Sequence, residues 1–277
     1  MRWSDENSAV AVACPCENNG AIQFYLAMLA SMLINSEQLP AEALAQSGCA
    51  LLTAAQMTQR LGDAAAGLES LRASWECLPR DLHLRDGGNY RFRRHSCFTQ
   101  DLRSGALAMV PHRAHWQPID YNALHGGMER WFEPVEPAVA ASRAWIRIVK
   151  SLGELFAQVR PTPCWYVEAH QFRIDTAEGI GRPTPEGAHR DGVDFVTIML
   201  VNRRDVRGGE TRVFEAHGNA GVRFTMLEPW TTLLLDDARV IHESTPLQPL
   251  SNDAPGIGVR DTLVLTYRTH GFQAPPA

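Results

Sequence analysis

Two histidines and one aspartate in the second half of the chain have the residue types of a metal-ligand set. His189 and Asp191 are separated by one residue in the stretch AHRDG, and His242 ends a later strand-like run. In a β-strand, residues i and i+2 point to the same face, so His189 and Asp191 could reach one ion together. Two neutral imidazoles and one carboxylate bound on one side of an ion leave its other side open. These residues therefore predict a metal centre with free coordination positions.

The order of the surrounding segments supports this prediction, although an isolated H-x-D triplet is more often part of a surface turn. A strand pattern at 195–200 follows the triplet, then the turn Gly208-Gly209-Glu210-Thr211, and then an apolar run at 231–235 before His242. A metal held by two histidines and one carboxylate, with open positions, is typical of non-haem Fe(II) oxygenases.

A second candidate group lies on the last strand pattern of the chain, which begins RDTLVLTY. Arg260 and Thr262 share one face of this strand because they are two residues apart. A guanidinium beside a hydroxyl is suited to a buried carboxylate, since its two parallel N–H groups can donate to both oxygens. The strand therefore predicts an anion clamp near the metal.

These motifs, taken in order, resemble the Fe(II)/2-oxoglutarate-dependent dioxygenases. The resemblance runs from about residue 90 to 267 and is greatest to the bacterial branch that hydroxylates free amino acids such as L-isoleucine. It is densest in PEGAHRDGVDF, RGGETRVF, LLLDDARVIHESTP and RDTLVLTYR. The resemblance implies that Fe(II), 2-oxoglutarate and O2 are required and that succinate and CO2 are released. It also implies Fe(II) ligation by His189, Asp191 and His242, with Arg260 on the distal carboxylate of 2-oxoglutarate and Thr262 as its helper.

The resemblance further implies a small substrate, a free L-amino acid or an amino-acid-like metabolite, hydroxylated on an aliphatic carbon. Such a substrate needs a cationic partner for its carboxylate and an acceptor for its ammonium group. We predict Arg173 and Arg93 for the first role and Glu186 for the second. The alternatives left open by residue type are Arg91, Arg94, Glu168 and Asp194.

Gln171 is predicted to contact the co-substrate because it shares one face of a strand with Arg173. This face points either into the site or outward to water, and we expect it to point into the site. His170, Phe172 and Ile174 occupy the other face, which would then pack on a helix.

The chain is predicted to form one domain over residues 1–277, mainly β with flanking helices. Several short strand patterns separated by turns, with helices mostly before them, favour a jelly-roll sandwich. The family's double-stranded β-helix, which is cupin-like, is such a fold. We place this core at about 88–268, with a supporting helix at 137–159. Residues 1–85 are predicted to be mostly helical, with helices at 21–36 and 53–78 and a short strand at 48–52.

Composition excludes several classes of protein. The net charge is −5, with 26 basic against 31 acidic residues, which argues against a nucleic-acid-binding protein. Six cysteines without zinc-type spacing favour a reduced, cytoplasmic compartment. The apolar run at 21–34 is too short to span a membrane, and no signal peptide is predicted. A homodimer is left open.

Two other functions use the same residues. A non-catalytic jelly roll that binds a small acid or a partner protein is the main alternative, but it has no need of three ligands and an arginine. A zinc hydrolase is the second, and it lacks a glutamate base at zincin spacing.

Overall fold

The computed structural model of the protein describes residues 10–12, 39–122, 124–218, 220–251 and 257–276. The helix predicted at 21–36 lies outside these residues. In the described part, no helix has the length and the apolar character needed to cross a membrane.

Residues 39–85 are mostly helical, but the helix predicted at 53–78 is interrupted. The helices are α1 (Pro40–Ser47), α2 (Ala54–Leu61) and α3 (Leu68–Ala73), and two 3-10 turns cover Gly62–Gly67 and Ser74–Cys77. The single helix predicted at 53–78 is therefore wrong. Gly62 ends α2 with φ 56° and ψ −136°, a conformation that glycine adopts without strain.

Fifteen further segments, two helices and thirteen strands, complete the secondary structure of the described residues. The helices are α4 (Pro137–Ala140) and α5 (Arg143–Val159). The strands are β1 (Val10–Val12), β2 (Cys49–Leu52), β3 (Arg91–Asp101), β4 (Leu107–Met109), β5 (Cys164–Asp175), β6 (Phe195–Arg204), β7 (Val206–Gly208), β8 (Thr211–Glu215), β9 (Gly221–Met226), β10 (Thr232–Asp236), β11 (Val240–Ser244), β12 (Leu247–Pro249) and β13 (Val259–Arg268). The prediction of one helix at 137–159 is wrong at its start, because the Ser142 hydroxyl accepts the Trp145 N–H and begins α5 anew.

The strands form two main antiparallel sheets. The larger has the order β2-β10-β6-β13-β5-β3-β4, the smaller has the order β1-β9-β8-β11, and β12 pairs with β7. The strand predicted at 48–52 is confirmed as β2, which begins one residue later because Gly48 caps α1, and it pairs with β10 at one edge of the larger sheet. The N-terminal part thus contributes to the core sheet.

Each face of the larger sheet packs on a different layer. Helix α5 covers one face, where Trp145 and Phe156 are fully buried and Phe156 stacks on Phe195 at 4.4 Å between ring centroids. The other face meets the smaller sheet through a second apolar cluster that includes Val196 and Val213. Two facing antiparallel sheets with helices on the outside confirm the predicted jelly-roll core.

Candidate metal centre and substrate cavity

His189 and His242 are joined by their backbones. The N–H of each donates to the carbonyl of the other, at 3.1 and 2.9 Å, and the two rings lie 4.7 Å apart. The two Nε2 atoms each lie 3.9 Å from a carboxylate oxygen of Asp191. These separations are too long for hydrogen bonds but allow all three side chains to contact one ion, so the structure brings the predicted triad together.

Asp191 lies on a loop rather than on a strand. Only His189 is paired, in the isolated bridge with His242, so the strand geometry assumed for the H-x-D triplet is wrong. The Asp237 carboxylate holds this loop by accepting the N–H groups of Asp191, Gly192 and Val193 at 2.8–3.0 Å. The Asp191 side chain is therefore positioned through its backbone by the turn that follows β10.

The donor atoms of the two histidines fit a divalent metal. The Nδ1–H of His189 donates to the Gly187 carbonyl at 2.9 Å, which leaves the Nε2 lone pair of a neutral ring for an ion. Burial and the neighbouring His189 ring hold the pKa of His242 well below its ordinary value, so the His242 ring is neutral. Two neutral imidazoles and one carboxylate form a donor set suited to Fe(II).

Gln117 is a contact of Asp191 that sequence reasoning missed. Its amide N–H donates to Asp191 Oδ1 at 2.9 Å, and its carbonyl accepts from Asn122 and from Arg130. This amide orients the carboxylate and links it to a buried arginine. The described residues of the segment from 117 to 130 lie in no helix or strand, so no periodic pattern indicated that this segment contacts the site.

Arg260 lies in the cavity that contains the triad, together with Thr262 and Ser244. Its side chain is buried, and its Nη2 has no hydrogen-bond partner among the described residues. Burial lowers the pKa of Arg260 to about 10, so the group stays charged at neutral pH. A buried cation with an unpaired N–H fits the distal carboxylate of 2-oxoglutarate.

Gln171 and Arg173 do not face the cavity, and the prediction for this face of β5 is wrong. Arg173 pairs with Asp261 at 2.7 Å and with Glu76 at 2.8 Å, while the Gln171 amide donates to Ser74. Ser74 and Glu76 belong to the second 3-10 turn. The opposite face of the strand, carrying His170, Phe172 and Ile174, lines the cavity instead. Strand alternation correctly grouped the residues but could not say which group faces inward.

The basic run on β3 is divided between the two faces of the sheet. Arg91 and Arg93 are buried in the cavity wall, whereas Arg94 points outward to Glu133 and Glu136. Arg91 donates to Asp81 at 2.7 Å. Arg93 donates to His170 and lies against two aromatic rings. Arg93 thus lines the cavity, and its contact with a substrate stays a prediction.

Glu186 and Arg130 also line the cavity. Glu186 Oε1 lies 3.7 Å from the Nε2 of His189, and its Oε2 is buried without a partner in the described structure. Arg130, which no sequence argument singled out, is buried beside Gln117. Burial lowers the pKa of Arg130 to about 10, and its Nε is unpaired within the described ranges.

A second polar cluster lies at the cavity wall, to which His115 and His170 contribute. It comprises His95, His115, Glu168 and His170, whose ligand atoms lie within 4.8 Å of one another. Glu168 accepts hydrogen bonds from His95 at 2.9 Å and from His115 at 2.7 Å. Glu168 therefore lies outside the set of candidate ammonium acceptors, and so does Asp194, which pairs with Arg160.

We expect the protein to lose stability as the pH falls from about 6.5 to about 4. Burial lowers the pKa of His115 to about 4, so the unfolded chain binds a proton on this ring at a higher pH than the folded chain does. The contribution of His115 to the free energy of unfolding is fully present above its pKa in the unfolded chain. It is lost as the pH falls from that pKa to the pKa in the folded chain, by about 1.4 kcal/mol per pH unit. Urea unfolding of the metal-free chain between pH 7.5 and 4.5 measures this slope. His115→Gln should reduce the slope, and an unchanged slope would show that His115 has an ordinary pKa in the fold.

Several solved structures are similar to this chain. A bsmA homolog from Methylobium petroleophilum PM1 has a solved structure with 55% identity and a TM-score of 0.81, covering 88% of this chain and 100% of that one. IDO from Bacillus thuringiensis has 17% identity and a TM-score of 0.69, covering 86% of this chain and 99% of that one. The Fe(II)/α-ketoglutarate-dependent dioxygenase TqaL has 17% identity and a TM-score of 0.62, covering 91% of this chain and 90% of that one. The last two show a shared fold.

Among curated protein sequences, none matches this chain at a significant level. The family model for the 2OG-Fe dioxygenases matches residues 72–266. This match spans both metal histidines, the aspartate between them and the buried arginine of the cavity. The chain therefore belongs to the 2OG-Fe dioxygenase family, whose oxygenase chemistry depends on Fe(II), 2-oxoglutarate and O2.

Proposed function

We propose that this dioxygenase hydroxylates an aliphatic carbon of a free L-amino acid or a closely related zwitterionic metabolite. The observation that supports this most directly is the charge of the cavity wall. Arg91, Arg93 and Arg130 are buried there, and each keeps an N–H without a partner in the described part of the chain. Glu186 adds one carboxylate with an unpaired oxygen. A small substrate with both charges would pair with both kinds of group.

In this proposal, His189, Asp191 and His242 are the Fe(II) ligands and Arg260 binds the distal carboxylate of 2-oxoglutarate. With these groups bound, reaction with O2 supplies the oxidising power for inserting oxygen into a C–H bond, with release of succinate and CO2. The protein residues do the positioning. Asp237 fixes the loop of Asp191, and the cavity wall directs one substrate carbon toward the metal.

The substrate carboxylate is assigned to Arg130 and Arg91, because both are buried and retain free donors. Arg93 lies beside them, and its contact with His170 limits how far it can turn. Glu186 is assigned to the substrate ammonium group. An isolated charge would be costly to bury in this cavity, so each end of the substrate must meet its opposite charge.

We expect blocked amino acids to be poor substrates. At least one free L-amino acid should stimulate succinate release. The methyl ester and the N-acetyl form of that amino acid should each have a kcat/KM about 30-fold or more below that of the free form. Each blocked form loses one buried charged contact, which is worth at least about 2 kcal/mol. The measurement is a screen of the twenty amino acids for substrate-stimulated succinate release, followed by the blocked forms of the best one.

Arg130→Met tests the assignment of Arg130 to the substrate carboxylate. The variant should raise KM for the free amino acid while the methyl ester, which lacks the carboxylate, is affected much less. Equal rates for free and doubly blocked substrates would contradict the proposal and would favour a peptide or carrier-bound substrate.

A further inference from the structure

The buried cluster of His95, His115, Glu168 and His170 combines ligand types that a metal accepts, but its contacts indicate a different role. One oxygen, Glu168 Oε2, accepts from both His95 and His115 at hydrogen-bond distances. A guanidinium N–H of Arg93 lies 2.7 Å from His170 Nδ1. These contacts occupy donor atoms that a metal would need, and they place a fixed positive charge against one imidazole.

The hydrogen bonds determine which ring nitrogen of each histidine carries the proton. The pKa of Glu168 is held below its usual range despite burial, because His115 and His95 contact it, so the carboxylate is ionised and can only accept. His115 must then donate from Nδ1, and its Nε2 is left as an acceptor. Arg93 can only donate, so His170 Nδ1 accepts and its Nε2 carries the N–H.

His115 and His170 are also the two members of the cluster that line the cavity, and their rings meet edge to face at 4.8 Å. The cavity wall therefore contains one imidazole that can only accept at its remaining nitrogen and one that can only donate. Because Glu168 and Arg93 are both buried, neither ring can exchange its role without breaking a buried charged hydrogen bond.

We propose that His115 and His170 form a donor–acceptor pair that recognises a neutral polar group of the substrate, a hydroxyl or a primary amide. This inference rests on the proposed function, with the charged ends of the substrate at Arg130, Arg91 and Glu186. A hydroxyl or carboxamide can donate to His115 Nε2 and accept from His170 Nε2–H at the same time. A purely aliphatic side chain would leave both buried groups unpaired. Sites that must hydrogen-bond their substrate reject analogues lacking the polar group by large factors.

The tautomers can be measured without knowing the substrate. The full chain, with histidine labelled in 15N and Zn(II) as a diamagnetic probe metal, gives long-range 1H–15N spectra that distinguish the two neutral forms. We expect the Nδ1–H form for His115 and the Nε2–H form for His170 at pH 7.5. Glu168→Gln should convert His115 to the Nε2–H form, since the amide can donate to Nδ1. Glu133→Gln, an exposed change, should leave both forms unchanged.

Recognition is tested with two pairs of amino acids of matched shape, threonine against valine and asparagine against leucine. Substrate-stimulated succinate release should favour the polar member of at least one pair by about 100-fold or more in kcat/KM. His115→Phe should reduce this preference. Equal or better use of valine and leucine would overturn the inference, and so would the opposite tautomers in the wild-type spectra.

The outcomes also separate this inference from the proposed function. If no amino acid stimulates turnover, the amino-acid substrate is wrong, and the spectra still decide whether the pair is fixed. Metal analysis of the Asp191→Ala chain after Zn(II) loading decides whether the cluster is a second metal site. We expect less than about one tenth of an equivalent, and one retained equivalent would overturn the donor–acceptor role.

Discussion

Replacing Asp191 by alanine is expected to reduce 2-oxoglutarate turnover to below about 1% of the wild-type rate, with the fold retained. Asp191 is the only carboxylate of the triad, and its loss leaves two neutral imidazoles to hold a divalent ion. Mutation of a residue that only orients a metal ligand lowers metal affinity or activity by about 10- to 100-fold. Loss of a ligand itself should therefore lower both by more. Succinate formation and bound iron, measured on the same preparation, test this expectation.

The histidine ligands allow a matched control. His242→Ala should have the same effect as Asp191→Ala, whereas His217→Ala, an exposed histidine on the turn after β8, should leave iron content and turnover unchanged. Circular dichroism should report the same secondary structure in all three variants. Near-normal succinate production by a folded Asp191→Ala chain would show that the ion is held elsewhere.

Arg260→Lys is expected to weaken 2-oxoglutarate binding by about 30-fold to about 4,000-fold. Losing a charge-assisted contact in a buried site costs about 2–5 kcal/mol, and each 1.4 kcal/mol corresponds to a factor of ten. A lysine keeps the charge but lacks the planar fork that donates to both carboxylate oxygens. Anaerobic titration of 2-oxoglutarate into the Fe(II)-loaded chain, followed by its visible charge-transfer band, measures the affinity.

Arg207→Ala is the control for the co-substrate prediction, because Arg207 is an exposed arginine on strand β7. It should bind 2-oxoglutarate as the wild type does. If Arg260→Ala also binds normally, the clamp must be another cavity arginine. Arg173 is not a candidate, since its guanidinium is engaged by Asp261 and Glu76 outside the cavity.

The residues that sequence reasoning placed correctly belong to short, ordered motifs. His189, Asp191, His242, Arg260 and Thr262 all lie at one cavity, as their order along the chain predicted. Strand periodicity also predicted most of the core strands, because buried and exposed positions alternate every two residues. The grouping of His189 with Asp191 was predicted from strand geometry, and this assumption was wrong because Asp191 lies on a loop.

The remaining errors have physical causes. Period-two alternation is symmetric, so it could not decide whether Gln171 or His170 faces inward. Glu168, Gln117 and Arg130 act through contacts between segments that are far apart in sequence, and no local pattern reports such contacts. The break at Gly62 depends on a backbone conformation that helix periodicity does not reveal.

The pairing of β2 with β10 has a consequence for shortened forms of the protein. Strand β10 carries three consecutive leucines, Leu233 to Leu235, that are fully buried, and β2 covers its backbone on one side. A chain lacking residues 1–53 would present this apolar strand with unpaired N–H and C=O groups, which is a template for strand addition by another molecule. Such a chain should aggregate during expression, so the helical N-terminal part cannot be removed as a separate module.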